Sequence, residues 1–179
     1  MATKIKIRVE DPEVKENLIA QGADPLLAQL FAARGVKAIE EIDLSLSALP
    51  HIKELKNALE AGQRLAKAIA EEEKIVIAAD YDADGATACA VAMRGLRLLG
   101  ADVDYVTPLR EKEGYGLNEA MIDRALTKGA ALILTVDNGI SAHEAVDYAL
   151  SLGLEVIITD HHLPGSTLPL SLIHISEPT

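Results

Sequence analysis

From residue 74 onward the chain alternates short apolar runs with longer stretches whose apolar residues recur at helical spacing. The runs are KIVIAA (74–79), DVDYVTP (102–108), ALILTV (131–136) and EVIIT (155–159). They are too short for helices and centred on Ile, Val and Leu, which predicts four buried strands. Between them, ATACAVAMRGLRLLG (86–100), NEAMIDRALTKG (118–129) and SAHEAVDYALSLG (141–153) read as three amphipathic helices, ending at Gly100, Gly129 and Gly153 as C-terminal stops. Strand–helix alternation of this kind predicts an α/β fold, a parallel Rossmann-like sheet with helices on both faces. Ser141 and Glu144 have the spacing of a capping box, with His143 inside the capped turn as a solvent-facing or locally bonded side chain.

The stretch before residue 73 is helical in pattern. In DPLLAQLFAARG, Asp24 is placed as an N-cap, Pro25 in the first turn and Gly35 as the stop. The expected division is a helical N-terminal segment at 1–72, an α/β domain at 73–169 and a tail at 170–179.

Composition narrows the chemistry. Across 179 residues the net charge is −11, aromatic content is 3% and there is no Trp. A stacking platform or a generally basic nucleic-acid surface is therefore not expected, whereas a local one, or a set of bound cations, is compatible with the acidity. Cys89 is the only cysteine, so no intramolecular disulfide forms, and its place in an Ala-rich helical pattern predicts a packed small hydrophobe. No charged-then-apolar leader opens the chain and no apolar run approaches the roughly 18 residues of a membrane helix. A cytoplasmic protein without a membrane span is expected.

The stretch IVIAADYDADGAT (75–87) sets three aspartates directly behind the first strand. It has the opening of an EF-hand loop, but position twelve of that loop is Val91 rather than a bidentate Glu, and a strand precedes it where a helix is required. Calcium of that type is excluded. Ligands of an open parallel sheet bind outside the carboxyl ends of its strands. Strand one ends in Asp80, Asp82 and Asp84, strand three in Asp137–Asn138–Gly139, and strand four in Asp160–His161–His162. Five aspartates and two histidines converge on one edge. Without cations they would repel, and bound divalent metal resolves this: oxygen ligands suit magnesium or manganese, and imidazole tilts the choice towards manganese. The loop PLREKEGYGL (108–117) opens on the same edge, where Arg110 and Lys112 are suited to phosphate and Gly114 and Gly116 permit backbone N–H groups to approach an anion; a flexible charged loop is the alternative. No G-x-G-x-x-G follows the first strand, so a dinucleotide fingerprint is absent.

The ordered motifs DYDADGAT, EGYGL, TVDNGIS and TDHHLPG resemble the DHH phosphoesterase superfamily, and within it the RecJ-type single-stranded-DNA exonucleases, over nearly the whole chain to about Pro169. The resemblance implies manganese- or magnesium-dependent hydrolysis of phosphodiester bonds, digesting single-stranded DNA from its 5′ end in recombination and repair. Single-stranded DNA is the implied partner, with single-strand-binding protein as a further candidate. Asp82, Asp84, Asp137 and His161 are the implied metal ligands, with Asp137 bridging. Asp80 and Asp160 resemble the family's supporting acids, acting as ligands or orienting the ligand histidine, and His162 is similar to the family's second histidine, near the scissile phosphate. The family carries a further metal-binding Asp well beyond its DHH motif, then a second core domain and an oligonucleotide-binding barrel. The chain is thus expected to hold an incomplete second metal site and to be inactive alone. The tail LSLIHISEPT (170–179) resembles the in-frame translation of a sequencing-library adapter, with no function for His174 and Glu177. The competing expectations are a relative acting on small nucleotides and a non-catalytic metal-binding remnant.

Overall fold

The computed structural model describes residues 6–49, 51–171 and 173–176. The chain divides into two compact units, Met1–Pro50 and His51–Thr179.

In the first unit, α1 (Pro12–Ala20) and α2 (Pro25–Ala32) pack on each other with Leu18, Ala28 and Ala32 buried. Asp11 and Asp24 cap them, Asp24 Oδ1 accepting from the backbone N–H of Leu26 (2.9 Å) and Leu27 (3.3 Å), with Pro25 at the first helical position as expected. Between Gly35 and Ala58, where the next α-helix begins, no regular α-helix forms among the described residues. Residues 39–54 carry three separate 3₁₀ turns instead of a helix. Asp43 accepts from the Ser45 N–H at 2.9 Å and from its hydroxyl at 3.0 Å, so local side chains capture the backbone before a helix propagates.

The second compact unit begins at His51, ahead of the first strand. Helix α3 (Ala58–Ala70) belongs to it, because Ala61 and Ala68 join a buried cluster with Ile75, Ile77 and Leu132. Arg64, its side chain 10% exposed, ties α3 to Glu73 at 2.6 Å and to Glu155. The sheet follows as β1 (Ile75–Ala79), β2 (Val103–Val106), β3 (Leu132–Val136), β4 (Glu155–Asp160) and β5 (Ile173–Ser176), all parallel in the order β2-β1-β3-β4-β5. The connecting helices are α4 (Ala83–Leu98), the single turn α5 (Arg110–Glu113), α6 (Glu119–Thr127) and α7 (His143–Ser151).

The alternation of side chains along each strand sorts the core into two layers. Val76, Ala78, Ile133, Val156 and Ile158 face α6 and α7 through Ile122, Ala125 and Val146. Ile75, Ile77, Leu134 and Ile157 face α3 and α4 through Ala61, Cys89 and Met93. With helices on both faces, β1 and β3 are buried at every position and apolar except for Thr135, which is why they read as runs rather than as alternation. Cys89 is buried, and burial pushes its thiol pKa up, as suits a packing residue.

Two local expectations change. Helix α7 starts at His143 with Ala142 at the cap and no side-chain cap bond, so Ser141 stands one residue too early to form the box. His143 Nε2 lies 3.5 Å from the Thr167 hydroxyl, a contact made across 24 residues rather than within its own turn. The backbone of Ile173–Ser176, past the expected domain end, pairs as an edge strand on β4; Glu177 lies outside the described residues. Among the described residues, no helix is long and apolar enough to cross a membrane.

Candidate metal centre

Register builds the site. Ala79 of β1 pairs with Val136 of β3, and Val136 with Thr159 of β4. The next residue of each strand is Asp80, Asp137 or Asp160, so three acids stand side by side at the carboxyl edge. Asp82 caps α4, accepting from the Gly85 N–H at 3.2 Å, and Asp84 sits in that helix's first turn, where the helix dipole favours a carboxylate. Gly85 permits the approach: a Cβ there would lie 2.7 Å from the Asp80 carbonyl oxygen.

The turn after β3 is tight. Asp137 adopts φ +64°, uncommon for a residue with a Cβ, and its N–H donates to the Thr159 carbonyl at 3.0 Å. Asn138 is buried and stitches the edge together, its Nδ2 donating to the carbonyls of Ala78 (3.0 Å) and Val136 (2.9 Å). The Asp137 carboxylate meets His161 Nε2 at 2.8 Å, and Asp84 Oδ2 lies 3.7 Å from that same nitrogen.

Two triplets of donor atoms result, each within 4.8 Å: Asp80, Asp82 and Asp137 form one, Asp137, His161 and His162 the other. Asp137 belongs to both. Asp160 plays another part. Its Oδ2 accepts from the Ile140 N–H at 2.9 Å, and its Oδ1 accepts from the His162 N–H at 3.1 Å and from Nδ1 at 2.7 Å, so it is spent on fixing the histidine loop. Of the expected ligands, Asp82, Asp137 and His161 fall in the triplets together with Asp80 and His162, while Asp84 stands beside His161 outside both.

Tyr115, which the sequence reading passed over, completes the second group. Its hydroxyl donates to the Asp137 carbonyl at 3.2 Å and lies 3.0 Å from His162 Nε2. The loop that carries it is anchored: Arg124 binds Glu113 at 2.6 and 2.9 Å and the Thr107 carbonyl at 2.9 Å. This clamp holds the Glu113 carboxyl down at about 2 and fixes the loop, against the alternative of a flexible charged stretch. Gly116, buried at φ +76°, lines a pocket of about 400 Å³ with Tyr115, Gly139 and His162, a placement suited to a phosphate. Gly114 is exposed with open space around it, and the Arg110 guanidinium lies 5.0 Å over the Tyr81 ring. These two are turned to other tasks than the His162 pocket.

Acids outnumber their partners in the cleft, where two imidazoles pair with Asp137 and Asp160. Asp80 is 1% exposed, and the backbone N–H groups of Tyr81 and Gly116 favour its charge without closing a well-formed hydrogen bond on either carboxylate oxygen. Burial first, then the Asp82 charge, raises its pKa; burial, then Asp84, raises that of Asp137. The bond to Asp160 raises His162. A buried carboxylate with no well-formed hydrogen bond on either oxygen, beside two further acids and two imidazoles, is the donor set of a divalent ion such as Mn²⁺ or Mg²⁺, so the residues present fit a metal.

Residues 74–179 match the family model "DHH family, N-terminal domain". The chain is 42% identical over 170 residues to the single-stranded-DNA-specific exonuclease RecJ of Escherichia coli (strain K12), covering 94% of this chain and 29% of the relative. Against the protein of that name from Bacillus subtilis (strain 168) it is 39% identical over 191 residues, covering 99% of this chain and 24% of the relative. The chain thus spans between about a quarter and a third of the length of these relatives. Among solved structures, an exonuclease RecJ bound to manganese is similar with TM-score 0.64 and 42% identity, over 75% of this chain and 33% of that one. RecJ from Thermus thermophilus in complex with Mn²⁺ is similar with TM-score 0.62 and 34% identity, over 94% and 24%.

Proposed function

The chain belongs to the DHH family, and on that premise we propose that it forms the metal-binding part of a cytoplasmic exonuclease that hydrolyses phosphodiester bonds of single-stranded DNA from the 5′ end, in recombination and repair. One observation carries the reading: two donor triplets meet at a single shared carboxylate, Asp137. That is the form of a two-metal phosphoryl-transfer site. The manganese-bound RecJ structures that this chain resembles support the choice of ion.

Asp80 and Asp82 would hold one ion and His161 the other, with Asp137 between them and Asp84 beside His161. Divalent ions at these positions supply Lewis-acid polarisation of the phosphate and acidify a water for attack. Within this set the chain's own residues divide the remaining work. Asp160 fixes the His162 ring through Nδ1 and the loop through two backbone N–H groups, and Tyr115 braces the ring from the other side. His162 and the Gly116 and Gly139 backbone line the pocket in which the scissile phosphate is seated.

The test is Mn²⁺ titration by calorimetry beside release of nucleotides from a labelled single strand, with Asp137→Ala as the comparison. The variant is expected to lose both metal uptake and turnover while its circular dichroism is unchanged. Substantial retained turnover would refute the assignment. Metal uptake without turnover in the unsubstituted chain would assign it metal binding alone.

A further inference from the structure

Beside the metal centre, on the α4 face of the sheet, lies a groove of about 610 Å³ between α4 and β2. Its floor is apolar, made by Ala86, Cys89 and Met93, and Asp80 closes the end that touches the metal centre. Its walls carry Arg94 and Arg97 from α4, with Tyr81 at one end and Tyr105, half-exposed, from β2. At 1.5 Å rise per residue, Arg94 stands about 15 Å and Arg97 about 20 Å along α4 from Asp84, so the groove leads away from the centre in a line.

The charges of this groove are unspent. The described ion pairs of the second unit engage Arg64, Lys67, Lys74, Arg124 and Lys128, which leaves Arg94 and Arg97 without a carboxylate. Asp80 is the one acid among the lining residues, on a chain whose net charge is −11. Arg110, over the Tyr81 ring at 5.0 Å, adds a third cation at the mouth. A local cationic strip with aromatic rings over an apolar floor has the chemistry of a single-strand track: guanidinium groups for phosphates, rings for base faces.

We propose that this groove seats a short run of single-stranded DNA leading into the metal centre, with Arg94 and Arg97 meeting backbone phosphates and Tyr81 and Tyr105 stacking on bases. The direction into the centre rests on the exonuclease reading; the binding itself does not, and is tested without metal.

The experiment is fluorescence anisotropy of a labelled oligothymidylate with the full chain in EDTA, across a series of salt concentrations. The unsubstituted chain is expected to bind. The double variant Arg94→Ala/Arg97→Ala should bind about tenfold more weakly, with a log–log salt slope shallower by about 1.4 for two lost phosphate contacts. Tyr105→Ala should weaken binding by at least about fivefold and leave the slope unchanged. Arg94→Lys/Arg97→Lys should keep the slope. Absence of binding by the unsubstituted chain, an alanine double variant that binds like it, or a lysine variant that loses the slope would each overturn the proposal. So would thymidine monophosphate competing as well as the oligonucleotide, which would mark a mononucleotide site. Failure of Asp137→Ala to abolish turnover would strike the metal centre alone and leave these results standing.

Discussion

Replacing Asp80 by Asn separates the cost of the buried carboxylate from its use. Asp80 is 1% exposed, and apart from the weakly placed backbone N–H groups of Tyr81 and Gly116 nothing among the described residues bonds its oxygens. A buried polar group left unsatisfied costs about 1–3 kcal/mol, more when charged. In Asn the charge is gone and the amide can donate to the Asp82 and Asp137 carboxylates, with which Asp80 shares a donor triplet. The metal-free variant should therefore be more stable by about 1–3 kcal/mol, and at roughly 2–4 °C per kcal/mol its melting temperature should rise by about 2–12 °C. With metal the order reverses. A ligand at a hundred times its dissociation constant adds about 2.7 kcal/mol to the state that binds it, and the variant has lost a donor. The assay is thermal unfolding followed by circular dichroism in EDTA and across a Mn²⁺ titration, with the two proteins crossing in stability as metal is added. A variant less stable than the parent in EDTA, or one gaining as much from Mn²⁺, would refute the reasoning.

The raised pKa values of Asp80 and Asp137 mean that the folded state holds their protons more tightly than the unfolded chain does. Metal-free stability should therefore fall as pH climbs past the ordinary carboxylate range, and the raised His162 adds a loss in the same direction above about pH 6.5. The Mn²⁺-induced rise in melting temperature should grow over that range, because its ligands must be deprotonated; a shift independent of pH from 5 to 8 would contradict this. On the acid side, Glu113 contributes stability that is lost as pH falls from about 4.5 through its folded value of about 2. Arg124→Ala should release the Tyr115 loop, read as several-fold faster tryptic cleavage at Arg110 and Lys112; unchanged cleavage would count against the clamp. Gly85→Ala forces a Cβ to 2.7 Å from the Asp80 carbonyl oxygen and should cost about 1–3 kcal/mol in urea unfolding, with no loss counting against the close approach.

What the sequence revealed follows from how its information is stored. The strands β1 to β4 were legible because each is a continuous apolar run, and the metal edge because DYDAD, DNG and DHH all stand directly behind such runs. Tyr115 was not, since a tyrosine in a charged loop shows its partners only once Arg124, far along the chain, has fixed that loop. Asn138 looked like a turn residue because the turn it makes is real; its bond to Ala78 is made across 60 residues. Helix α3 reads in the sequence as part of the helical lead-in because its small buried face, Ala61 and Ala68, is as consistent with a helical neighbour as with a sheet; in the structure it packs in the second compact unit. The segment after Gly35 carried helix-forming residues, but the Asp43 carboxylate accepts from the Ser45 backbone N–H and from its hydroxyl, a competition that periodicity does not register.

The common register row of Asp80, Asp137 and Asp160 decides which changes of length the protein can absorb. One residue inserted within β3 would advance Asp137 by about 3.3 Å and turn its side chain to the opposite face of the sheet, breaking both donor triplets at their shared member. An insertion of the same size in the loops at the opposite, amino-terminal edge, such as the one around Gly129, would leave the row in place. The chain is thus free to lengthen at one edge of its sheet and is held to an unchanging residue count between that edge and the other.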